Sequence, residues 1–565
     1  MIRMKITDAN TNNYRYEVPV PITWRATTSQ SQQQNLRFEL TETQYNQTGL
    51  RVRRQMGTTI GDNDPILFDT TYFAEGFICD NQFLQIITTL PSKNVYGFGE
   101  NTHPSFRHNL TDGIRYGIFA RDQPPQGQNE NLYGTHPFYM CIEDDGKVVF
   151  PDFLYPPTKS WWLNQIVTWH NTRNFDALWI DMNEPANFDT NMLQPWNWPY
   201  STPWNLHRPT DEQWDAPSYH PAIWSSVMSD KTICMLALQT NGNMTYRHYD
   251  VHNLFGWSET IATLPAVRAS VPGRRSFVIS RSTFPSSGVY AGHWTGDNSA
   301  LWPFVKYNII GLLEFNLFGI PYIGADICGF NLNTTEELCQ RWMQLGAFKP
   351  FFRNHNAINL TDQDPGVFSP PVVASNRKAV ILRYTLIPYL YTLFYNVHVD
   401  GGTVVRSMAH EYPQDSNCWD LDEQFLWGSS LLIAPVIYKN QITKNSYLPP
   451  SPVRWYDYYT GQEQTKLENV TVDAPLDYIP LFIKGGSILP TQQYALNTNL
   501  SRQNLMSLII ALDQNQTARG SLFWDDGDSV DTYENKITIY LNSIIRVTIQ
   551  LQSHQQPTII QHHWY

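Results

Sequence analysis

The sequence predicts an α/β protein built on a (β/α)8-type barrel, with an N-terminal β-sandwich before it and C-terminal β-domains after it. Three observations lead there. The first 150 residues carry short runs of β-formers between polar turns, residues from about 165 to 405 alternate apolar strands with helical stretches, and the chain then returns to β-type runs. A chain of 565 residues with 42% hydrophobic content can bury several cores. The expected domains are 1–150 for the sandwich, 151–405 for the barrel, and 406–490 and 491–565 for a proximal and a distal C-terminal β-domain.

The elements follow in order. YRYEVPV, LRFEL, LRVRR, ILFDTT and FLQIITTL alternate or cluster β-formers, and a sandwich is the simplest packing that buries one face of each. Trp302 to Phe318 has helical length and stops before Gly319, a residue suited to the left-handed position after a helix. TTEELCQRWMQL places Thr334 and Glu337 at the spacing of a capping box. RKAVILRYTLIPYLYTLFYNV keeps apolar residues at helical intervals, with a kink expected at Pro388. LLIAPVI, YDYYTG, PLFIKGGSILP, LMSLIIAL, SLFWDD and KITIYL supply strands for two small β-domains. DDGDSVD at 525–531 has the acids of a calcium loop without its twelve-residue spacing and reads as a turn.

Five candidate core strands lie in the α/β region: DALWID (176–181), SFVISRS (276–282), GVYAGHWTGD (288–297), IPYIGADI (320–327) and AFKPFFRNH (347–355). Their C-terminal ends carry Asp181, Arg281, Asp297, Asp326 and His355, and a (β/α)8 barrel assembles its active site at that end of its strands. Each residue alone has a plainer reading. Asp181 could cap a helix or end a solvated turn, Arg281 could neutralise a neighbouring acid, and His355, Trp179, Trp294 and Phe330 could be core. Their joint placement is what points to chemistry on a polyol.

Composition narrows the classes. Charged residues make up 16% of the chain, the formal net charge is −12 and aromatics reach 14% with 19 Trp, so the basic footprint of a nucleic-acid binder is absent and sugar-like ligands are favoured. There is no G-x-S-x-G elbow, no Walker loop, no GxGxxG after a strand and no Cys/His metal spacing. Two carboxylates beside an arginine suit glycoside hydrolysis, in which one acid protonates the leaving oxygen and the other attacks or activates water. That chemistry needs neither metal nor cofactor. Cys328 and Cys339 are placed to close a small loop as a disulfide in an oxidising compartment.

WIDMNEP, SRSTFPSSGVYAGHWTGDN, GADICGF and FFRNHN resemble the signature blocks of glycoside hydrolase family 31, closest to the maltase-glucoamylase and sucrase-isomaltase type of α-glucosidase. VYGFGENTH (95–103) resembles the family's N-terminal sandwich, and GTVVRSMAHEYP, FLWGSSLLIAPVI and PLFIKGGSILP resemble its barrel exit and C-terminal β-domains. The resemblance implies a retaining α-glucosidase that releases terminal α-linked glucose from maltose-type oligosaccharides. Asp181 would be the nucleophile and Asp297 the general acid/base, with Glu184 in support. Arg281, Asp326 and His355 would contact the glucose, and Trp179, Met182, Trp294 and Phe330 would wall its subsite.

The chain also departs from that family. After HPFYMCIEDDGK (136–147) it passes directly to VVFPDFLYPPTKSWW, which resembles the approach to the fourth barrel strand, so a segment on the order of 200 residues carrying the first three strands is expected to be absent. A sugar-binding aspartate and an aromatic wall go with it, and a catalytically defective or purely carbohydrate-binding chain is the alternative outcome. The loop QPWNWPYSTPW departs from the family too, and Cys234 lacks the partner expected for it. The start, MIRMKITDANTNN, has no apolar leader, and no segment has the length of a membrane span, yet eight N-x-[ST] sequons suit a secreted, lumenal or cell-surface setting. The expectation is a portion of a longer secreted or membrane-anchored protein, making no membrane contact of its own.

Overall fold

The computed structural model describes residues 36–42, 48–54, 65–74, 77–80, 83–90, 94–101, 131–142, 150–187, 213–219, 221–223, 227–450, 452–535, 539–543 and 560–563. YRYEVPV, the end of HPFYMCIEDDGK and QPWNWPYSTPW lie wholly or partly outside the described residues. The chain separates into two compact units, one holding residues up to Val149 and the other most of the chain from Phe150 onward.

In the first unit every described strand pairing is antiparallel. Leu36–Glu42, Thr48–Arg54 and Ile66–Asp69 form a three-stranded sheet, and Phe77–Asp80 with Phe83–Ile86 and Asn94–Asn101 with Asn131–Ile142 form two further pairs. The β-rich reading of this region therefore holds. Arg51 reaches across to the buried Asp69 at 2.7 Å.

The second unit is organised around an arc of parallel strands. β1 (Leu178–Ile180), β2 (Val278–Ser280), β3 (Gly292–Trp294) and β4 (Ile323–Gly324) pair side by side in that order, and β5 (Asp326–Ile327), which continues β4 after one residue, pairs with β6 (Arg353–Asn354). All five expected strand segments are present in parallel. Gly324 allows the close approach at the crowded end of the arc, since a Cβ there would lie 2.0 Å from Phe351 O. Among the described residues, β1 has a paired neighbour on one side only, and so does β6.

The helices that cover the arc are α1 (Pro156–His170), α2 (Phe255–Ser270), α3 (Trp302–Leu317), α4 (Glu336–Gly346) and α5 (Pro370–Asp400). α3 ends with Gly319 at φ +79°, as its sequence demands. α5 runs through Pro388, whose carbonyl also accepts from Thr392 Oγ1 at 2.7 Å, and Tyr389 anchors the same turn by donating to Trp427 O. The cap of α4 corrects the expectation by one residue. Thr335, not Thr334, accepts from Leu338 N at 3.4 Å, because the carboxylate of Glu337 is taken by Asn440 N (2.6 Å) and that of Glu336 by Ser369.

Downstream lies a five-stranded antiparallel sheet in the order Val405–Arg406, Phe425–Trp427, Leu431–Ile433, Leu481–Lys484, Trp455–Asp457, followed by a sheet of Ser487–Gln492, Met506–Ala511 and Ile560–His563. One continuous core joins this region to the arc through Ile309, Trp342, Phe348, Leu386, Trp427 and Ile483. DDGDSVD is a turn: Asp525 is buried and accepts from Arg275, Tyr391 and Thr532, while Asp526 caps Asp528 N and Ser529 N.

Arg341 is the polar link in that core. Wholly buried in α4, it donates to the carbonyls of Gln441, Ala474, Pro475 and Tyr478 at 2.7 to 3.0 Å, and burial drives its pKa down to about 10. Arg341→Met would strand four acceptors, each costing about 1–3 kcal/mol when left unpaired. We expect it to lower the urea midpoint of the second unit markedly while leaving the first unit's transition in place, and an unchanged midpoint would contradict the role of this residue.

Candidate active site

The site is built where β1 and β2 end. After Ile180 the chain turns sharply, with Met182 at φ +58°, a conformation that a non-glycine residue adopts only when its surroundings enforce it. The turn is enforced from both sides. Asp181 Oδ1 accepts from Met182 N at 2.7 Å, and the buried Asn183 spans to β2 by donating to Ser280 Oγ (2.9 Å) and accepting from Ser282 N (2.8 Å). The end of β1 is thereby tied to the end of β2, which carries Arg281.

Arg281 gathers three carboxylates. Its Nε and one terminal nitrogen hold Glu184 in a two-pronged bond (2.8 and 3.1 Å), and its other nitrogen lies 3.0 Å from Asp181 Oδ1 and 4.0 Å from Asp297 Oδ2. Partial burial works against its charge, but Glu184, Asp181 and Asp297 together raise its pKa above the ordinary arginine value. The Asp181 and Asp297 oxygens are no farther apart than those last two distances combined. That bound admits the roughly 5–5.5 Å spacing of a retaining pair and excludes the widest inverting spacings of about 9.5 Å. Both acids are open to solvent, with side chains 41% and 49% exposed, so a substrate can reach them.

The remaining expected residues surround this group. Trp179 meets Trp294 edge-on at 4.8 Å and His355 at 5.7 Å, and Phe330 lies 5.1 Å from His355. Met182 is half-buried beside Asp181. Asp326 is buried, with Oδ1 accepting from Arg353 at 2.6 Å and Oδ2 without a partner among the described residues. Burial raises its pKa against the pull of Arg353, His355 and Lys349. Trp294 Nε1 is likewise buried with its proton unshared. Asp297 is held through its carbonyl by Asn331 (2.9 Å), and Asn298 ties Asp326 O to Phe330 N. Cys328 and Cys339 are joined as a disulfide, fastening the turn after β5 to α4, whereas Cys234 is free.

Several residues that shape the site were not singled out in the sequence. Arg353 pairs with Asp326 and lies over Trp179, 4.1 Å from its centroid. The signal was present, since Arg353 stands in FFRNHN at a strand end. Asn183 and Asn298 act through backbone contacts that spacing does not reveal. Glu259 of α2 is buried behind Asn183, and burial, with the nearby Glu184 acting in the same sense, pushes its pKa up to about 7 although the Asn183 amide opposes the shift.

That acid has a consequence for stability. Its folded pKa stands above the ordinary 4.5, so the stability it contributes is full below about pH 4.5 and is lost as pH rises through about 7. The loss is on the order of 3 kcal/mol. Glu259→Gln cannot ionise, so we expect its urea midpoint to gain on that of the parent between pH 4.5 and pH 8. A constant offset at both pH values would contradict the buried proton.

Residues 89–393 match the family model for the glycosyl hydrolases family 31 TIM-barrel domain, residues 401–489 the family 31 C-terminal domain, and residues 2–150 the family 31 N-terminal galactose mutarotase-like domain. The chain is 32% identical to probable maltase-glucoamylase 2 of Homo sapiens over 95% of this chain and 28% of that protein. It is 45% identical to intestinal sucrase-isomaltase of Rattus norvegicus (76% of this chain, 22% of that protein) and 40% identical to lysosomal alpha-glucosidase of Bos taurus (74% and 43%). The chain therefore spans less than half the length of these relatives. The alignment to the first runs to 745 positions although this chain has 565 residues, so about 200 positions of that relative face a gap. Among solved structures, it is similar to the ER glucosidase II heterodimeric complex (TM-score 0.59, 30% identity, 69% of this chain and 38% of that one). It is also similar to the Flavobacterium johnsoniae family 31 dextranase complexed with glucose (TM-score 0.56, 26% identity, 68% and 43%).

Proposed function

Because this chain belongs to glycosyl hydrolase family 31, we propose that it is a retaining α-glucosidase acting on terminal α-linked glucose of maltose-type oligosaccharides. The observation that carries the proposal is Arg281 within reach of both Asp181 and Asp297. In this reading Asp181, oriented by Arg281, attacks the anomeric carbon while Asp297 donates a proton to the departing glycosidic oxygen. A glucosyl ester on Asp181 results. Asp297, now a carboxylate, takes a proton from water, which attacks the ester and frees Asp181. Asp326 Oδ2 and Trp294 Nε1, a buried acceptor and a buried donor without partners among the described residues, are suited to sugar hydroxyls. Trp179, Phe330 and Met182 supply apolar wall, and His355 and Arg353 flank the same space. The chemistry needs no cofactor. An extracellular or lumenal setting fits the disulfide and the exposed sequon residues Asn243, Asn333, Asn359, Asn469, Asn499 and Asn515; Asn46 and Asn109 lie outside the described residues. Among the described residues no helix is long and apolar enough to cross a membrane.

A second reading is favoured by one specific observation. β1 ends the arc on one side and β6 on the other, and a barrel loses its unpaired edges only by closing. A chain with part of its sugar-binding wall absent would bind carbohydrate weakly and turn over slowly. Hydrolysis of maltose separates the two readings when measured for the chain, for Asp181→Asn and for a version with the absent segment restored. We expect the substitution to lower kcat by about 10³-fold or more. Restoration is expected to raise both kcat/KM and thermal stability. Turnover insensitive to Asp181→Asn would refute the assignment, and equal kcat/KM with and without the added segment would show the open arc to be complete for function.

A further inference from the structure

One buried amide joins two neighbouring strand ends. Gln363, on the segment between β6 and α5, is 3% exposed, and its Nε2 lies 3.1 to 3.3 Å from four oxygens: Ile327 O, Gly329 O, Asn354 Oδ1 and His355 O. All four are acceptors, so the amide must turn its nitrogen to them, because an amide oxygen placed there would meet four other oxygens with no proton between them. Its two protons are thus shared among four partners. The amide oxygen, Oε1, is buried and has no partner among the described residues. An unpaired buried acceptor destabilises the fold, so the contacts of the nitrogen must outweigh that cost.

The four contacts fall on the turn after β5 and on the end of β6. Ile327 O and Gly329 O flank Cys328, and Cys328 and Gly329 both have positive φ, +74° and +95°, a backbone that holds only when its surroundings enforce it. Gly329 is pressed against Ala300, where a Cβ would stand 2.4 Å from Ala300 Cα, and Cys328 is tied to α4 by the disulfide. Gln363 is the third constraint, since it bonds the carbonyls on either side of Cys328. At the other strand end, Asn354 pairs in register with Ile327 and returns the bond by donating to Gln363 O at 2.8 Å and to Cys328 Sγ at 3.6 Å. The loop that leads to Gln363 is closed as well: Ala357 N donates to Phe330 O (2.9 Å), Asn356 to Thr361 O (2.9 Å) and Thr361 N to Asn333 Oδ1 (2.7 Å). The turn after β5 carries Phe330 and the end of β6 carries His355, whose rings lie 5.1 Å apart beside Trp179.

We propose that Gln363 is a positioning residue for sugar binding: by bonding the turn after β5 and the end of β6 at once, it fixes Phe330 and His355 relative to each other as two walls of the glucose subsite. The junction stands on the contacts alone, while its kinetic consequence rests on the α-glucosidase reading.

Three substitutions separate positioning from mere support. Gln363→Met keeps the length of the side chain and removes the donor, and Gln363→Asn keeps an amide that stops one methylene short of the four oxygens. Gln344→Met is the control, because it deletes another buried amide whose partners are Arg341, Ser375 and Leu476 O (2.6 Å). We expect Gln363→Met to raise KM for maltose about tenfold with kcat within about threefold, and Gln363→Asn to do the same to a smaller extent. Gln344→Met should lower the unfolding temperature and leave KM within about twofold of the parent. A rise in KM no greater than that of the control, or a loss carried by kcat, would overturn the proposal. If Gln363→Met does not fold, Gln363→Asn decides by the same criterion. A second arm needs no turnover: hydrogen exchange read by mass spectrometry should be faster in Gln363→Asn than in the parent over residues 326–332 and 353–358, and unchanged over β2. Unchanged exchange in those two segments, or an equal rise over β2, would overturn it. A parent chain without turnover would overturn the α-glucosidase reading instead, and the exchange arm would then decide the junction by itself.

Discussion

The site depends on a single guanidinium. Three carboxylates, Asp181, Glu184 and Asp297, lie on two different strand-end loops, and their mutual repulsion would spread them if nothing intervened. Arg281, delivered by the strand between β1 and β3, meets all three with a planar fork whose geometry suits carboxylates. The architecture around it serves that meeting. Asn183 locks the β1 loop to the β2 loop, Gly256 lets α2 close against both, and Asn331 and Asn298 hold the loop after β3. Because each of these contacts joins segments far apart in sequence, the acids are set by the packed arc and not by any local motif.

The open arc is the counterpart of this local completeness. β1 and β6 each have a paired neighbour on one side among the described residues, and about 200 positions of a long relative have no equivalent here. The core continues without interruption from α3, α4 and α5 into the C-terminal sheet, and Arg341 adds a polar clasp across that junction. The cluster of Arg281 with Asp181, Glu184 and Asp297, proposed for bond cleavage, and the face that supports it are therefore both present. What the open arc lacks is edge pairing, which bears on stability more than on the placement of the acids proposed to react.

Much of this was legible in the sequence because the signals were local. Apolar runs ending in Asp181, Arg281, Asp297, Asp326 and His355 placed five strands, and the structure has five strand segments in parallel register with those residues at or just beyond their ends. The cap of α4 shows the limit. Thr334 and Glu337 have the spacing of a capping box, but spacing does not show that Glu337 is claimed by Asn440, about a hundred residues later, which leaves Thr335 as the cap. Arg353 was visible but not distinguished from a charge at a strand end, since its value lies in reaching Asp326 and covering Trp179. Glu259 gave no signal at all, because a buried acid looks like any other helix-surface residue until burial is known.

The central claim is that Asp181 and Asp297, gathered by Arg281, cleave the glycosidic bond by two successive displacements. The most direct test follows the anomer of glucose by proton NMR in the first minutes of maltose hydrolysis, before mutarotation mixes the forms. α-Glucose is expected first from the non-reducing end, and Asp181→Asn is expected to abolish the signal. Initial release of the non-reducing unit as β-glucose, beyond the β-glucose that maltose's own reducing end supplies, would mean a single displacement by water and would contradict the assignment of Asp181 as nucleophile.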